Sequence, residues 1–161
     1  MRVHLVSDHA GFDVKEHLVR VLTDSGHDVI DHGPPALDPL DDYPPYCLRA
    51  ALATVRDAGS LGVVIGGSGN GEQIAANKVR GVRSALAWSL ETARLARQHN
   101  DSNVLAIGGR MHPLDEVTAF VEAFLVEPFS HDERHARRIG MLSDYEATGE
   151  LPALPTPSGP G

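Results

Sequence analysis

The chain has 161 residues, 42% of them apolar, and a formal net charge of −8 at pH 7. That length suits one domain with a substantial core, and the acidic balance argues against bulk attraction to nucleic acid. No apolar run approaches the ~20 residues that span a bilayer, so no membrane partner is expected, and the single cysteine, Cys47, excludes an internal disulfide framework and fits a reducing cytoplasm.

Strand and helix patterns alternate along the chain. Val3–Ser7 reads as a strand, with no signal peptide expected before it. Gly11–Ser25 reads as a helix, because Phe12, Val14, Leu18, Val21 and Leu22 recur at helical spacing, and Gly26 ends it. A short strand follows at His27–Asp31. The Pro- and Asp-rich segment from Gly33 to Asp42 reads as a loop. A helix over Tyr46–Ala58, entered through Pro44-Pro45, places Cys47 in a helix core. Leu61–Ile65 is the third strand, followed by a glycine loop and a helix over Gly71–Val79. Arg83–Trp88 is a fourth strand, Leu90–His99 a helix and Val104–Ile107 a fifth strand. Helices over Leu114–Val126 and about Asp132–Tyr145 complete the pattern. Five strands separated by helices predict a parallel sheet covered on both faces, an α/β fold with ligands beyond the carboxyl ends of the strands. Residues 1–149 are expected to form one domain. Residues 150–161, rich in proline and without periodicity, are expected to be a tail, mobile or laid on a neighbouring subunit.

The run GGSGNGEQIAANK, Gly66 to Lys78, carries the most information. Glycines let backbone N–H groups approach a ligand without Cβ obstruction. The helix N-terminus behind them adds unpaired donors and a positive dipole end, suited to an anion or a developing oxyanion. The spacing matches neither the P-loop nor the dinucleotide fingerprint. Ser68 supplies a hydroxyl and Glu72 a potential base. Glu72 is also compatible with simple dipole stabilisation of a first helical turn. Asn70 and Gln73 have capping-box spacing, with Asn70 the expected N-cap, which leaves Glu72 free to face a ligand and the dipole to keep it ionised.

Other polar groups fall where a site is expected. Asp8-His9 follows the first strand; Asp8 reads as a helix cap or as part of a site. Gly108-Gly109-Arg110 follows the fifth. His99-Asn100 ends a helix, a pattern that also suits a simple helix stop. His131, Arg134, His135 and Arg138 share one helical face, either a solvated stripe or a phosphate clamp. The nine histidines include no H-E-x-x-H and no Cys/His pair at zinc spacing, so no metal is expected.

Taken in order, Ser7-Asp8-His9-Ala10-Gly11, Gly66–Lys78, His99-Asn100, Gly108-Gly109-Arg110 and Arg134 with Arg138 resemble type B ribose-5-phosphate isomerase. The resemblance covers about residues 1–146. It implies a Rossmann-like three-layer α/β/α sandwich with a five-stranded parallel sheet, and an enzyme that interconverts ribose 5-phosphate and ribulose 5-phosphate without cofactor. It also implies homodimers or homotetramers with sites at subunit interfaces. Many members carry cysteine at the position of Gly66; this chain resembles the actinobacterial branch, which has glutamate at the position of Glu72. By the resemblance, Glu72 is the base and Ser68, with the amides around Gly67, Gly69 and Gly71, stabilises the oxyanion. His99 assists ring opening, Asp8 and Asn100 hold hydroxyls, and His9, Arg110, Arg134 and Arg138 hold the phosphate. Arg110, His99 and Asn100 are expected to reach a neighbouring subunit's glycine loop. The motifs also suit a six-carbon enzyme such as galactose 6-phosphate isomerase, with Asp41, Asp42 and Tyr43 setting pocket depth, or a sugar-phosphate sensor without catalysis.

Overall fold

The structure is a computed structural model that describes residues 1–155; the remainder of the expected tail lies outside the described residues. In chain order the elements are β1 (Arg2–Ser7), a 3-10 turn (His9–Gly11), α1 (Phe12–Asp24), β2 (Asp28–Asp31) and α2 (Tyr43–Arg56). They continue as β3 (Leu61–Gly66), α3 (Asn70–Ala76), β4 (Ser84–Ala87), α4 (Leu90–Asn100), β5 (Val104–Gly108), α5 (Leu114–Val126) and α6 (Glu133–Thr148). All strand pairs are parallel, in the order β2-β1-β3-β5-β4.

The central strands β1, β3 and β5 are buried on both faces because they alternate two apolar sets. Val3 and Leu5 of β1, Val63 and Ile65 of β3, and Leu105 and Ile107 of β5 face one layer, formed by α1, α4 and α5. Val6, Val64, Val104 and Ala106 face the other, where Cys47, Ala50 and Ala51 of α2 meet Ala75 and Ala76 of α3. Each buried Val, Leu or Ile contributes about 1.5–3 kcal/mol relative to exposure. The expected three-layer α/β/α sandwich with a five-stranded parallel sheet is therefore what the chain forms. The sixth helix, α6, packs on α4 and buries only His135.

Two helix starts differ from expectation. The second helix begins at Tyr43, not Tyr46, with Pro44 and Pro45 inside its first turn. Proline is tolerated there because those N–H groups have no intrahelical partner. The third helix begins at Asn70 with Gly69 as its N-cap, and it ends at Ala76. Asn70 is thus the first helical residue rather than the cap. The Ser68 hydroxyl accepts from the Asn70 amide at 3.4 Å and from its side-chain amide at 3.2 Å. The expected Asn70/Gln73 capping box is absent, because Gln73 turns instead to the Ser84 carbonyl at 3.3 Å.

A buried lysine with two carboxylate partners braces the carboxyl end of β1. Lys15 has no solvent exposure, and its ammonium donates to Asp31 at 2.5 Å and Glu16 at 2.6 Å. The other oxygen of Asp31 accepts from the Gly33 amide at 2.8 Å, and the Gly33 carbonyl accepts from Ser7 at 3.3 Å. This chain of contacts fixes the start of the 33–42 loop against the residue before Asp8.

Candidate active site

The chain winds outward from β1 to β2 and then crosses to β3 on the other side. The crevice beyond the carboxyl ends of β1 and β3 is where an open α/β sheet binds ligands. From β1 the Asp8 carboxylate enters it. Its Oδ1 accepts from the amides of Ala10 at 2.9 Å and Gly11 at 3.3 Å. Capping and site membership thus coexist in one side chain.

From β3 comes the glycine loop. Gly69 has a left-handed φ of 79°, and a Cβ there would lie 2.6 Å from Leu86 and 2.8 Å from the Ile107 backbone. Only glycine fits. A Cβ on Gly66 would lie 1.9 Å from the Glu72 carboxylate. Glu72 therefore folds back from the first turn of α3 into the space a side chain at 66 would occupy. That placement buries it. Burial pushes its pKa up, opposed by a backbone hydrogen bond and reinforced by the negative charge of Asp8. Desolvation thus works against the positive end of the helix dipole, which favours the ionised form. A carboxylate raised in this way is a stronger base once ionised.

Gly67 lies beside Ala10 and the guanidinium of Arg110, and Gly71 packs under the ring of Tyr43. The Ser68 hydroxyl is at the exposed tip of the loop, paired with Asn70. Arg110 follows β5, and its amide donates to the Gly67 carbonyl at 3.1 Å. It therefore stands with the glycine loop of its own chain, apart from His99 and Asn100, with which it was expected to group. The reason is topological: residue 110 leaves the carboxyl end of β5, beside β3, whereas residues 99 and 100 precede β5.

His9 completes this cluster. Its Nδ1 lies 2.8 Å and its amide 2.9 Å from Asp41 Oδ1. The hydrogen bond to Asp41 raises its pKa, partly opposed by burial, with further help from Asp8 and opposition from Arg110. One ligand atom each from Asp8, His9 and Asp41 lie within 4.8 Å of one another, near enough to hold a cation, although hydrogen bonds already engage His9 Nδ1 and Asp41 Oδ1. Cys47 lies behind this cluster. Burial, then the negative charges of Glu72 and Asp8, push its thiol up to about 12, so it is protonated and inert.

The remaining expected residues gather elsewhere. α4 runs back along the sheet, so His99 and Asn100 sit by the amino end of β4, where the Asn100 carbonyl accepts from Arg83 at 2.9 Å. The His99 ring stacks on His135 with centroids 4.2 Å apart. His135 is buried, and Ser130 lies 2.9 Å from its Nδ1. Its pKa is lowered by desolvation first, then by the charges of His99 and Arg134. Arg134 and Arg138 are exposed on the same helix. Five residues of β5 separate the two clusters along the sheet, about 15 Å at ~3.3 Å per residue.

The family profile for Ribose/Galactose Isomerase matches residues 3–142. The chain belongs to the ribose/galactose isomerase family. Among members, it is 54% identical over 155 residues to ribose-5-phosphate isomerase B of Mycobacterium tuberculosis, covering 96% of each chain. It is 56% identical to the protein of that name from Mycolicibacterium paratuberculosis, covering 96% of this chain and 98% of the relative. A solved ribose/galactose isomerase structure, ribose-5-phosphate isomerase B of Mycoplasma genitalium with bound ribulose 5-phosphate, superposes with a TM-score of 0.87 at 37% identity, covering 91% of this chain and 97% of the other. The Clostridium thermocellum enzyme gives 0.88 at 37% identity, with 93% and 100% covered. No described helix is long and apolar enough to cross a membrane.

Sequence reasoning passed over three residues. Asp41 and Tyr43 were read only as setters of pocket depth, and His135 only as part of a stripe. His131, expected on the same helical face, precedes α6 with a left-handed φ of 57° and packs on Phe129, so the i, i+4 spacing does not join it to His135. No local signal connects Asp41 to His9.

Proposed function

We infer that the protein is an aldose–ketose isomerase that interconverts ribose 5-phosphate and ribulose 5-phosphate through an enediolate. The observation that carries this reading is the Glu72 carboxylate, buried against Gly66 at a loop rich in unobstructed amides, in a chain whose relatives bear that enzyme's name. In the open-chain aldose, Glu72 takes the C2 proton. The C–H electrons form the C1=C2 bond and the C1 carbonyl oxygen becomes the oxyanion. Return of the proton to C1, with transfer of the O2 hydroxyl proton to the O1 oxyanion as C2=O forms, gives the ketose. Amides near Gly67, Gly69 and Gly71, with the Ser68 hydroxyl, stabilise the oxyanion, each well-placed donor contributing about 3 kcal/mol.

His99 assists opening of the furanose ring, and Asp8 and Asn100 hold hydroxyls. His9 and Arg110 bind the phosphate together with Arg134 and Arg138. One sugar phosphate cannot bridge both clusters of a single chain across the length of a strand. The working unit is therefore a homodimer, or a homotetramer built from it, in which the His99 and α6 cluster of one copy faces the glycine loop of the other. Residues 1–149 carry the activity, residues 150–161 lie outside it, and the protein works in the cytoplasm. A six-carbon substrate is the second reading, favoured only by the breadth of the family's description. An isomerisation assay after exhaustive chelation, with ribose 5-phosphate and galactose 6-phosphate in parallel, tests substrate and metal independence together. Turnover of the first sugar alone is expected; activity only on the six-carbon sugar, or on neither, would overturn the reading.

A further inference from the structure

The 33–42 loop contributes a carboxylate that the isomerisation chemistry above does not use. Asp38 shapes the turn: its side chain accepts from Leu40 at 3.0 Å and its carbonyl accepts from Asp41 at 3.2 Å. Asp41 is thereby delivered beneath His9. Its side chain is 5% exposed, against 30% for the imidazole above it. A single oxygen, Oδ1, accepts from both the amide and Nδ1 of His9, at 2.9 and 2.8 Å. The other, Oδ2, is buried with no hydrogen-bond partner. His9 Nε2 makes no hydrogen bond among the described residues.

We propose that Asp41 is a positioning residue for the phosphate end of the site: it fixes the His9 ring with Nδ1 inward and Nε2 presented to the substrate as a charged donor. The proposal rests on the reading that His9 binds the phosphate. Two bonds from one oxygen fix both the backbone and the ring of the same histidine. A loop that needed only anchoring would be served by a neutral acceptor. A buried carboxylate with one bare oxygen is costly unless a cation faces it, and His9 is the partner within reach. The groups facing His9 are Asp8 from the end of β1, with Oδ2 at 3.9 Å, Asp41 from the loop, and Arg110 from beyond β5. The acidic pair prevails, and the ring holds its proton to higher pH than an ordinary histidine. Phosphate binding through His9 is then fully present at low pH and lost as pH rises through that raised value.

The test compares wild type with Asp41→Asn and His9→Ala. Asparagine keeps the shape and an acceptor oxygen but removes the charge. Two readouts are needed: NMR titration of the His9 ring, which requires no substrate and also reports folding, and kcat and KM for ribose 5-phosphate from neutral to alkaline pH. In Asp41→Asn the His9 ring should titrate at lower pH. The alkaline fall of kcat/KM should move down by the same interval. KM should rise about tenfold in the pH range between the two titrations, with kcat changing far less. If His9→Ala raises KM while Asp41→Asn moves neither the titration nor KM, the role of Asp41 is overturned. A shifted titration with unchanged KM overturns it equally. If His9→Ala leaves KM and inhibition by inorganic phosphate unchanged, the assignment of His9 has failed, and the positioning role falls with it.

Discussion

The two polar clusters differ in how much of their geometry one chain completes. At the carboxyl end of the sheet, Asp8 and Glu72 are buried, His9 is tied to Asp41, and Arg110 is held by a backbone bond to the glycine loop. At the amino end, Arg134 and Arg138 project from a helix whose only buried residue is His135. Its apolar residues Met141, Leu142 and Tyr145 remain exposed. The first cluster is preorganised, as catalysis of proton transfer demands. On the proposed homodimer the second is half a site, and the exposed apolar residues beside it are ones a second copy would cover.

The largest effect should come from the preorganised half. Glu72→Gln keeps the shape but cannot accept a proton, so kcat should fall by about 10³-fold or more with substrate binding within about tenfold. Because the buried carboxyl has a raised pKa, its ionisation opposes folding. Stability linked to this group is present at low pH and lost as pH rises through the raised value. Glu72→Gln should therefore melt higher than wild type at neutral pH, with the gap closing on acidification. Near-normal turnover in this variant would remove Glu72 as the base. Wild-type kcat should fall with acidification at a pH above the ordinary glutamate range.

Gly66→Ala sharpens the comparison by disturbing only the packing of the base. Its Cβ would stand 1.9 Å from the carboxylate, so Glu72 must leave its niche. A loss of about 10²-fold in kcat or more is expected, in line with the cost of misplacing a reacting group. A crystal structure of the variant showing Glu72 unmoved, with activity retained, would contradict that account.

In the exposed half the effects should be on binding. Arg134→Ala or Arg138→Ala should each raise KM by about 10- to 100-fold, the equivalent of about 1.5–3 kcal/mol for a charge-assisted hydrogen bond. Inhibition by inorganic phosphate should weaken in parallel. Unchanged values in both variants would return these arginines to a solvated face.

Mixing experiments then ask whether the halves meet across copies. Glu72→Gln and His99→Asn subunits, each inactive alone, should complement after exchange. Random pairing makes half the dimers mixed, each with one intact site, so about a quarter of wild-type activity should return if sites act independently. Glu72→Gln mixed with Arg110→Ala should recover nothing, because both groups belong to the same chain's loop cluster. Recovery in the second mixture but not the first would invert the division drawn here.

Much of the fold was legible. The central strands β1, β3 and β5 follow from near-continuous apolar runs, and helices such as α1 and α5 from apolar stripes. The helix boundaries at Tyr43 and Asn70 were missed because prolines in a first turn read as a break and because Asn70 has the chemistry of a cap without its place. The glycine loop was legible because its residues are contiguous. The pair Asp41–His9 was not: it joins positions 32 apart, and only the path of an irregular loop brings them together. Lys15–Asp31 is of the same kind, joining α1 to β2.

By itself the sequence determined the layer architecture, the position of the glycine loop after the third strand and the identity of the candidate base. These depend on short-range patterns, in which backbone geometry converts spacing directly into burial or exposure. Only the tertiary structure decided that Glu72 lies in the space of a side chain at Gly66 and that Arg110 stands by its own chain's loop. It alone placed His99 at the far end of the sheet. Those outcomes depend on strand order and on where each connection crosses. Strand order is set by the packing of both apolar faces at once, and residue spacing along the chain does not encode it.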